Sequence, residues 1–148
     1  MATMRPLWKR LRRNQRGAAL IEMAFTLPLL LLISIGIIEF GRAFQTWQIL
    51  TNAAREGARV AVLPGGDDAT VTARVQQYVQ AGVLDAGVTP TVTIQRTVAV
   101  SFGTGSRVIV SYPFHFIALN GIARLIDPST PLGSDFTMAV AATMRNEN

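Results

Sequence analysis

The chain has 148 residues, enough for one compact domain beside an anchoring segment and too few for two full domains. It contains no cysteine, which excludes disulfides, thiolate metal sites and thiol catalysis. The formal charge of +5 is local: six of the fourteen basic residues (Arg5, Lys9, Arg10, Arg12, Arg13 and Arg16) precede the first acid, Glu22, and the rest of the chain is nearly neutral, so no nucleic-acid footprint remains.

Residues 18–38 read AALIEMAFTLPLLLLISIGII and carry a single charge. As a helix they span about 31 Å, the thickness of a bilayer's hydrocarbon core. A buried helix of a soluble protein with the uninterrupted run Leu29 to Ile33 would need more surrounding protein than this chain offers. The six leading basic residues lie on one side of the span, whereas Glu39 and Arg42 cancel on the other, so the N-terminus is expected in the cytoplasm. A cleaved secretory signal fits poorly, because Glu39-Phe40-Gly41-Arg42 follows the apolar run in place of a small-x-small site.

Glu22 stands one turn into the apolar run, where an unpaired carboxylate is disfavoured. Two readings are open. Its carboxylate can reach back to the headgroups beside Arg16. Alternatively, a cut after Gly17 would make Ala18 a charged N-terminus and Glu22 the fifth residue of the product, so that amine and acid on neighbouring subunits could neutralise each other and set axial register.

Helical spacing continues past the span, through Phe40, Phe44, Trp47, Thr51, Ala54, Ala58 and Ala61, to Val62 or Leu63, where Leu63-Pro64-Gly65-Gly66 is a stop. Pro28 and Gly36 favour a bend in the apolar part. The small residues Ala53, Ala54, Gly57, Ala58 and Ala61 permit close approach, assigned mainly to the protein's own sheet. Asp67 or Asp68 can cap a second helix carried by Val71, Val75, Tyr78 and Val79 and ended in the region 82–87.

The period then changes. Val92, Ile94, Val98 and Val100 lie in a β-branched run, Gly103-Thr104-Gly105-Ser106 reads as a hairpin connection, and Val108 and Val110 share one face of a second strand that Pro113 should end. Residues 114–126 are expected to be an apolar loop or short helix, and residues 135–144 a third strand. The expected fold class is α+β: a long N-terminal transmembrane helix continuing into a small domain with a second helix and a three-stranded antiparallel sheet.

Arg16-Gly17 followed by AALIEMAF, then LPLLLLISIGIIEFGRAF and LTNAAREGAR, resembles the TadE-like family of minor pilins and pseudopilins of Tad (Flp-type) pilus systems. Weaker similarity lies in Val108 to Phe114 and Ala141 to Glu147. The resemblance implies a pilin-like domain and a prepilin-peptidase cut between Gly17 and Ala18, with Glu22 the acid that registers one subunit on the next. Met23 follows it, where Flp-type sites often carry an aromatic residue. Implied partners are the lipid bilayer, the prepilin peptidase, and other pilin or pseudopilin subunits with the Tad assembly machinery. The implied location is the bacterial inner membrane, single-pass, with the C-terminal domain periplasmic or carried into an extracellular pilus.

No enzyme and no cofactor is expected. His115 is the only histidine, with no acid nearer in sequence than Asp127, so it is read as a surface or loop residue. Gly103-x-Gly105 is too short for a phosphate-binding fingerprint. The resulting organisation is a basic leader over 1–17, a transmembrane helix over 18–38, its exported continuation over 39–63, and a small α+β domain over 64–148. The competing function is a membrane-tethered periplasmic binding module that is neither processed nor polymerised.

Overall fold

The computed structural model describes residues 15–82, 87–127, 129 and 136–146. The expected leader residues Arg5, Lys9, Arg10, Arg12 and Arg13 lie outside that set, as do most of the 82–87 breaker region and Asp135 at the expected start of the third strand. The chain forms two compact units, Met1–Ile38 and Glu39–Asn148.

Helix α1 runs from Gln15 to Ala61 with Pro28 inside it. In the first unit, residues 18–34 are all exposed, including Leu20, Phe25 and the run Leu29 to Ile33. This apolar stretch is long and apolar enough to cross a membrane. Ser34 Oγ donates to Leu30 O at 2.8 Å, so the hydroxyl is satisfied one turn back, as its place in an apolar run requires.

In the second unit, α1 is followed by α2 (Asp68–Ala81), β1 (Thr91–Val100), β2 (Gly103–Phe114), α3 (Ala118–Ile126) and β3 (Phe136–Arg145). The strands form an antiparallel sheet in the order β1-β2-β3. The layout is α+β, as the change of sequence period predicts.

Asp67 caps α2: its Oδ1 accepts from Thr70 N at 2.8 Å, and these bonds hold its carboxyl below the usual carboxylate range. Leu50, Ala53, Ala54, Ala58 and Ala61 of α1 pack with Val71, Val75 and Val79 of α2 and with Val108, Val110, Tyr112 and Phe114 of β2. Each buried Leu or Val side chain contributes roughly 1.5–3 kcal/mol. The small residues of α1 serve this internal packing: a Cβ on Gly57 would lie 2.6 Å from Val75 Cγ2 and 3.2 Å from Val108 Cγ1.

Several expected details shift. Phe40, Phe44 and Trp47 are exposed, because the face of α1 that packs runs through Glu39, Ala43, Thr46 and Leu50, about a quarter-turn away around the helix. Tyr78 is exposed while Val71, Val75 and Val79 are buried, so the ring lies off the packing face of α2. The hairpin connection is Ser101-Phe102, with Gly103 at φ 112° pairing with Val100, and residues 103–106 belong to β2. A tight turn closed by a glycine that tolerates positive φ is shorter than the four-residue connection the composition suggests. Pro113 does not end its strand: it pairs with Thr137, beyond the point where β1 stops flanking β2, so one side of the strand needs no donor there.

The bulge in β1 is held from outside the sheet. The register shifts between Gln95 and Val98, where Thr97 has φ 69°. Arg96 donates from Nη2 and Nε to Asp68 Oδ1, from Nη2 to Gly66 O at 2.6 Å, and from Nη1 to Ala61 O at 3.3 Å. One guanidinium thus satisfies the carbonyls left over where α1 ends and ties that turn to the sheet.

Candidate functional site

Gly17, Ala18 and Glu22 lie on the first turns of α1. Ala18 and Glu22 are both exposed and, four positions apart in one helix, share a face. Thr26 Oγ1 donates to the Glu22 backbone carbonyl at 2.8 Å; among the described residues, nothing pairs with the Glu22 carboxylate. The Gly17–Ala18 peptide bond lies in the helix, two residues from its start at Gln15.

A second arrangement is built where the second unit begins. Glu39 is buried, 3 % exposed, and both carboxylate oxygens are engaged. Oε2 accepts from Arg42 Nη1 at 2.8 Å, one turn along α1, and Oε1 accepts from the backbone N–H of Ala118 at 2.6 Å. That N–H is one of the free donors at the start of α3, which has no side-chain cap from its own N-cap residue, Ile117. Glu39 therefore caps α3 from another element, with its negative charge at the positive end of the helix dipole.

Aromatic rings enclose this junction. The Arg42 guanidinium lies 5.4 Å from the centroid of the Phe114 ring. Phe114 meets Phe116 edge to face at 5.4 Å and Phe136 at 5.5 Å, and Phe116 also contacts Phe40 at 6.2 Å. The ends of β2 and β3, the loop through Phe116 and the α1 turn beginning at Glu39 thus converge around one ion pair whose acid is buried and whose arginine is 32 % exposed. Loss of Arg42 would leave the buried carboxylate without its counter-charge, and loss of Glu39 would leave the Ala118 N–H without its acceptor.

A third polar cluster links the two helices of the same unit. Glu56 accepts from Arg59 at 2.8 and 2.9 Å and from Arg74 on α2 at 3.0 Å, and its pKa is lowered from 4.5 to about 2. The Arg59 hydrogen bond is the main cause, aided by Arg74 and opposed by partial burial. His115 is half-buried in the loop between β2 and α3, in keeping with its reading as a loop residue. Among the described residues, no three His, Cys, Asp or Glu side chains are grouped to hold a metal ion.

The Glu39 junction was not legible as a site. Counting charges made Glu39 and Arg42 cancel; the available signal was an acid directly after an apolar run with an arginine three positions on, the spacing of an intrahelical pair. Nothing in the sequence points from Glu39 to Ala118.

No curated protein and no solved structure matches the chain. Residues 17–59 match the family model described as TadE-like protein. The match begins at the glycine of the expected cleavage site and covers the apolar stretch, Glu39 and Arg42, and most of the face of α1 that packs in the core. Over residues 17–59, under a third of its length, the chain is thus similar to TadE-like proteins.

Proposed function

We propose that the protein is a membrane-anchored minor pilin or pseudopilin that takes part in Tad (Flp-type) pilus assembly or a related secretion filament. The observation that carries this reading is the coincidence of two boundaries. The TadE-like match starts at Gly17, and the 21-residue apolar run, exposed over residues 18–34, starts at Ala18.

An apolar helix in that state needs lipid or neighbouring helices, and a pilin-type subunit uses both in turn. Arg16 and the basic residues before it hold the N-terminus in the cytoplasm, so the unit beginning at Glu39 faces the periplasm. A prepilin peptidase hydrolyses the Gly17–Ala18 bond and leaves an ammonium on Ala18. Glu22, one turn along the same face, then offers a carboxylate of matching depth to the amine of an adjacent subunit. The pairing neutralises two charges that are each disfavoured in lipid, and it fixes the axial step between subunits. The protein's work is assembly, with no chemistry of its own.

The test is the intact mass of the protein recovered from host membranes with and without the host's prepilin peptidase. Loss of residues 1–17 only when the peptidase is present is the expected result. Full-length protein in both cases overturns processing, and with it the role of Glu22 as partner to a new N-terminus.

A further inference from the structure

α3 is an amphipathic helix without a place in the core. At 100° per residue, Ala118, Leu119, Ile122, Ala123 and Leu125 fall on one arc, and Asn120, Gly121 and Arg124 on the other. None of these apolar side chains joins the buried cluster; Leu125 is 87 % exposed, and Ile117, just before the helix, is 62 % exposed. A nine-residue helix of this pattern is too short to persist in water on propensity alone. It is held at its start by the Glu39 carboxylate.

That tether also sets where α3 lies. Glu39 follows Ile38 directly, the last residue of the stretch read as the bilayer span. The hydrogen bond from Ala118 N to Glu39 Oε1 therefore holds the first turn of α3 beside the residue that directly follows the apolar run. Phe40, exposed one residue further along and in contact with Phe116, puts another ring at the same level, where aromatic side chains favour the headgroup region. Arg124, on the polar arc, supplies a cation for lipid phosphates.

We propose that α3 is a membrane-interface helix, with its apolar arc and Leu125 seated at the boundary between headgroups and acyl chains of the leaflet that α1 exits. The inference rests on reading residues 18–38 as a bilayer span. It adds a second point of membrane contact.

The absence of native cysteine permits a direct test in the full-length protein. Single-cysteine variants Leu125→Cys, Ile33→Cys and Thr93→Cys carry a nitroxide label in phosphatidylethanolamine–phosphatidylglycerol vesicles, and collision rates are measured with lipid-partitioned oxygen and with an aqueous nickel chelate. The Ile33 label reports the span, and the Thr93 label, on the exposed strand β1, reports water. The expected result is a Leu125 label that collides several-fold more with oxygen than with nickel, between the two references. A Leu125 label as accessible to nickel as the Thr93 label, with the Ile33 label still in lipid, overturns the proposal and leaves the span standing. Shielding from both reagents means that protein, such as a second copy of this chain, covers α3, and also overturns it. A nickel-accessible Ile33 label removes the span itself and this proposal with it.

Discussion

Glu39 Oε1 accepts a 2.6 Å hydrogen bond from the backbone N–H of Ala118, 79 positions later in the chain. One buried carboxylate thereby joins the first turn of α1 within the second unit to the N-terminus of α3, while Arg42 balances its charge. Replacing Glu39 by Ala leaves Arg42 without its acid and Ala118 N without its acceptor, and should destabilise the second unit by about 2–3 kcal/mol. Glu39→Gln keeps an acceptor for Ala118 N and should lose about half as much. Thermal unfolding of the detergent-solubilised variants gives the order, and hydrogen exchange at Ala118 should accelerate far more in Glu39→Ala than in Glu39→Gln.

The helix-to-helix cluster around Glu56 makes stability depend on acid in a defined window. Its folded pKa of about 2 lies below the ordinary 4.5, so the unfolded chain binds the proton more readily. The stabilisation is complete above about pH 4.5 and is lost as pH falls toward 2. Arg59 and Arg74 are half exposed and screened, so the contribution is about 1–2 kcal/mol. Unfolding curves of the wild type and Glu56→Gln should therefore differ at pH 6 and converge near pH 2; a gap that persists unchanged at pH 2 would show that the difference is not ionic.

Two glycines of α1 should respond oppositely to alanine. At Gly57 a Cβ meets Val75 Cγ2 at 2.6 Å and Val108 Cγ1 at 3.2 Å, whereas nothing lies within 4 Å of one placed on Gly41. Alanine favours a helix interior by about 1 kcal/mol over glycine. At Gly41 that gain should appear nearly whole, while at Gly57 overpacking of about 1–3 kcal/mol should cancel or exceed it. Melting temperatures should rise for Gly41→Ala and fall for Gly57→Ala.

These sites also mark what the sequence could and could not disclose. The 21-residue apolar run, the Asp67 cap before Val71 and Val75, and the alternation of Val108 and Val110 are local patterns, and each reappears as an element or a buried face. The stripe of Phe40, Phe44 and Trp47 was equally periodic, yet it is exposed, because periodicity says which residues share a face and not which face is covered, here the one carrying Glu39, Ala43 and Thr46. No local pattern marks Arg96, whose guanidinium reaches Gly66, Asp68 and Ala61 beside the bulge at Thr97. The Glu39 junction lay further out of reach, since its acceptor and donor meet only after the sheet has formed.

Glu22 tests the assembly reading at its most exposed assumption. If its carboxylate pairs with the Ala18 amine of a neighbouring subunit, Glu22→Ala removes a charge that lipid disfavours, so membrane insertion should be as good as or better than the wild type. Incorporation into the filament should nonetheless fall several-fold, because the new amine then enters an apolar interior without a counter-charge. Glu22→Asp retains the charge on a shorter side chain and should recover part of the loss, whereas Glu22→Gln should not. Subunit content of sheared filaments, set against membrane-fraction levels of the same variants, separates the two steps. Filament content that is unchanged in Glu22→Ala would place the carboxylate back among the headgroups beside Arg16, where it serves no neighbour.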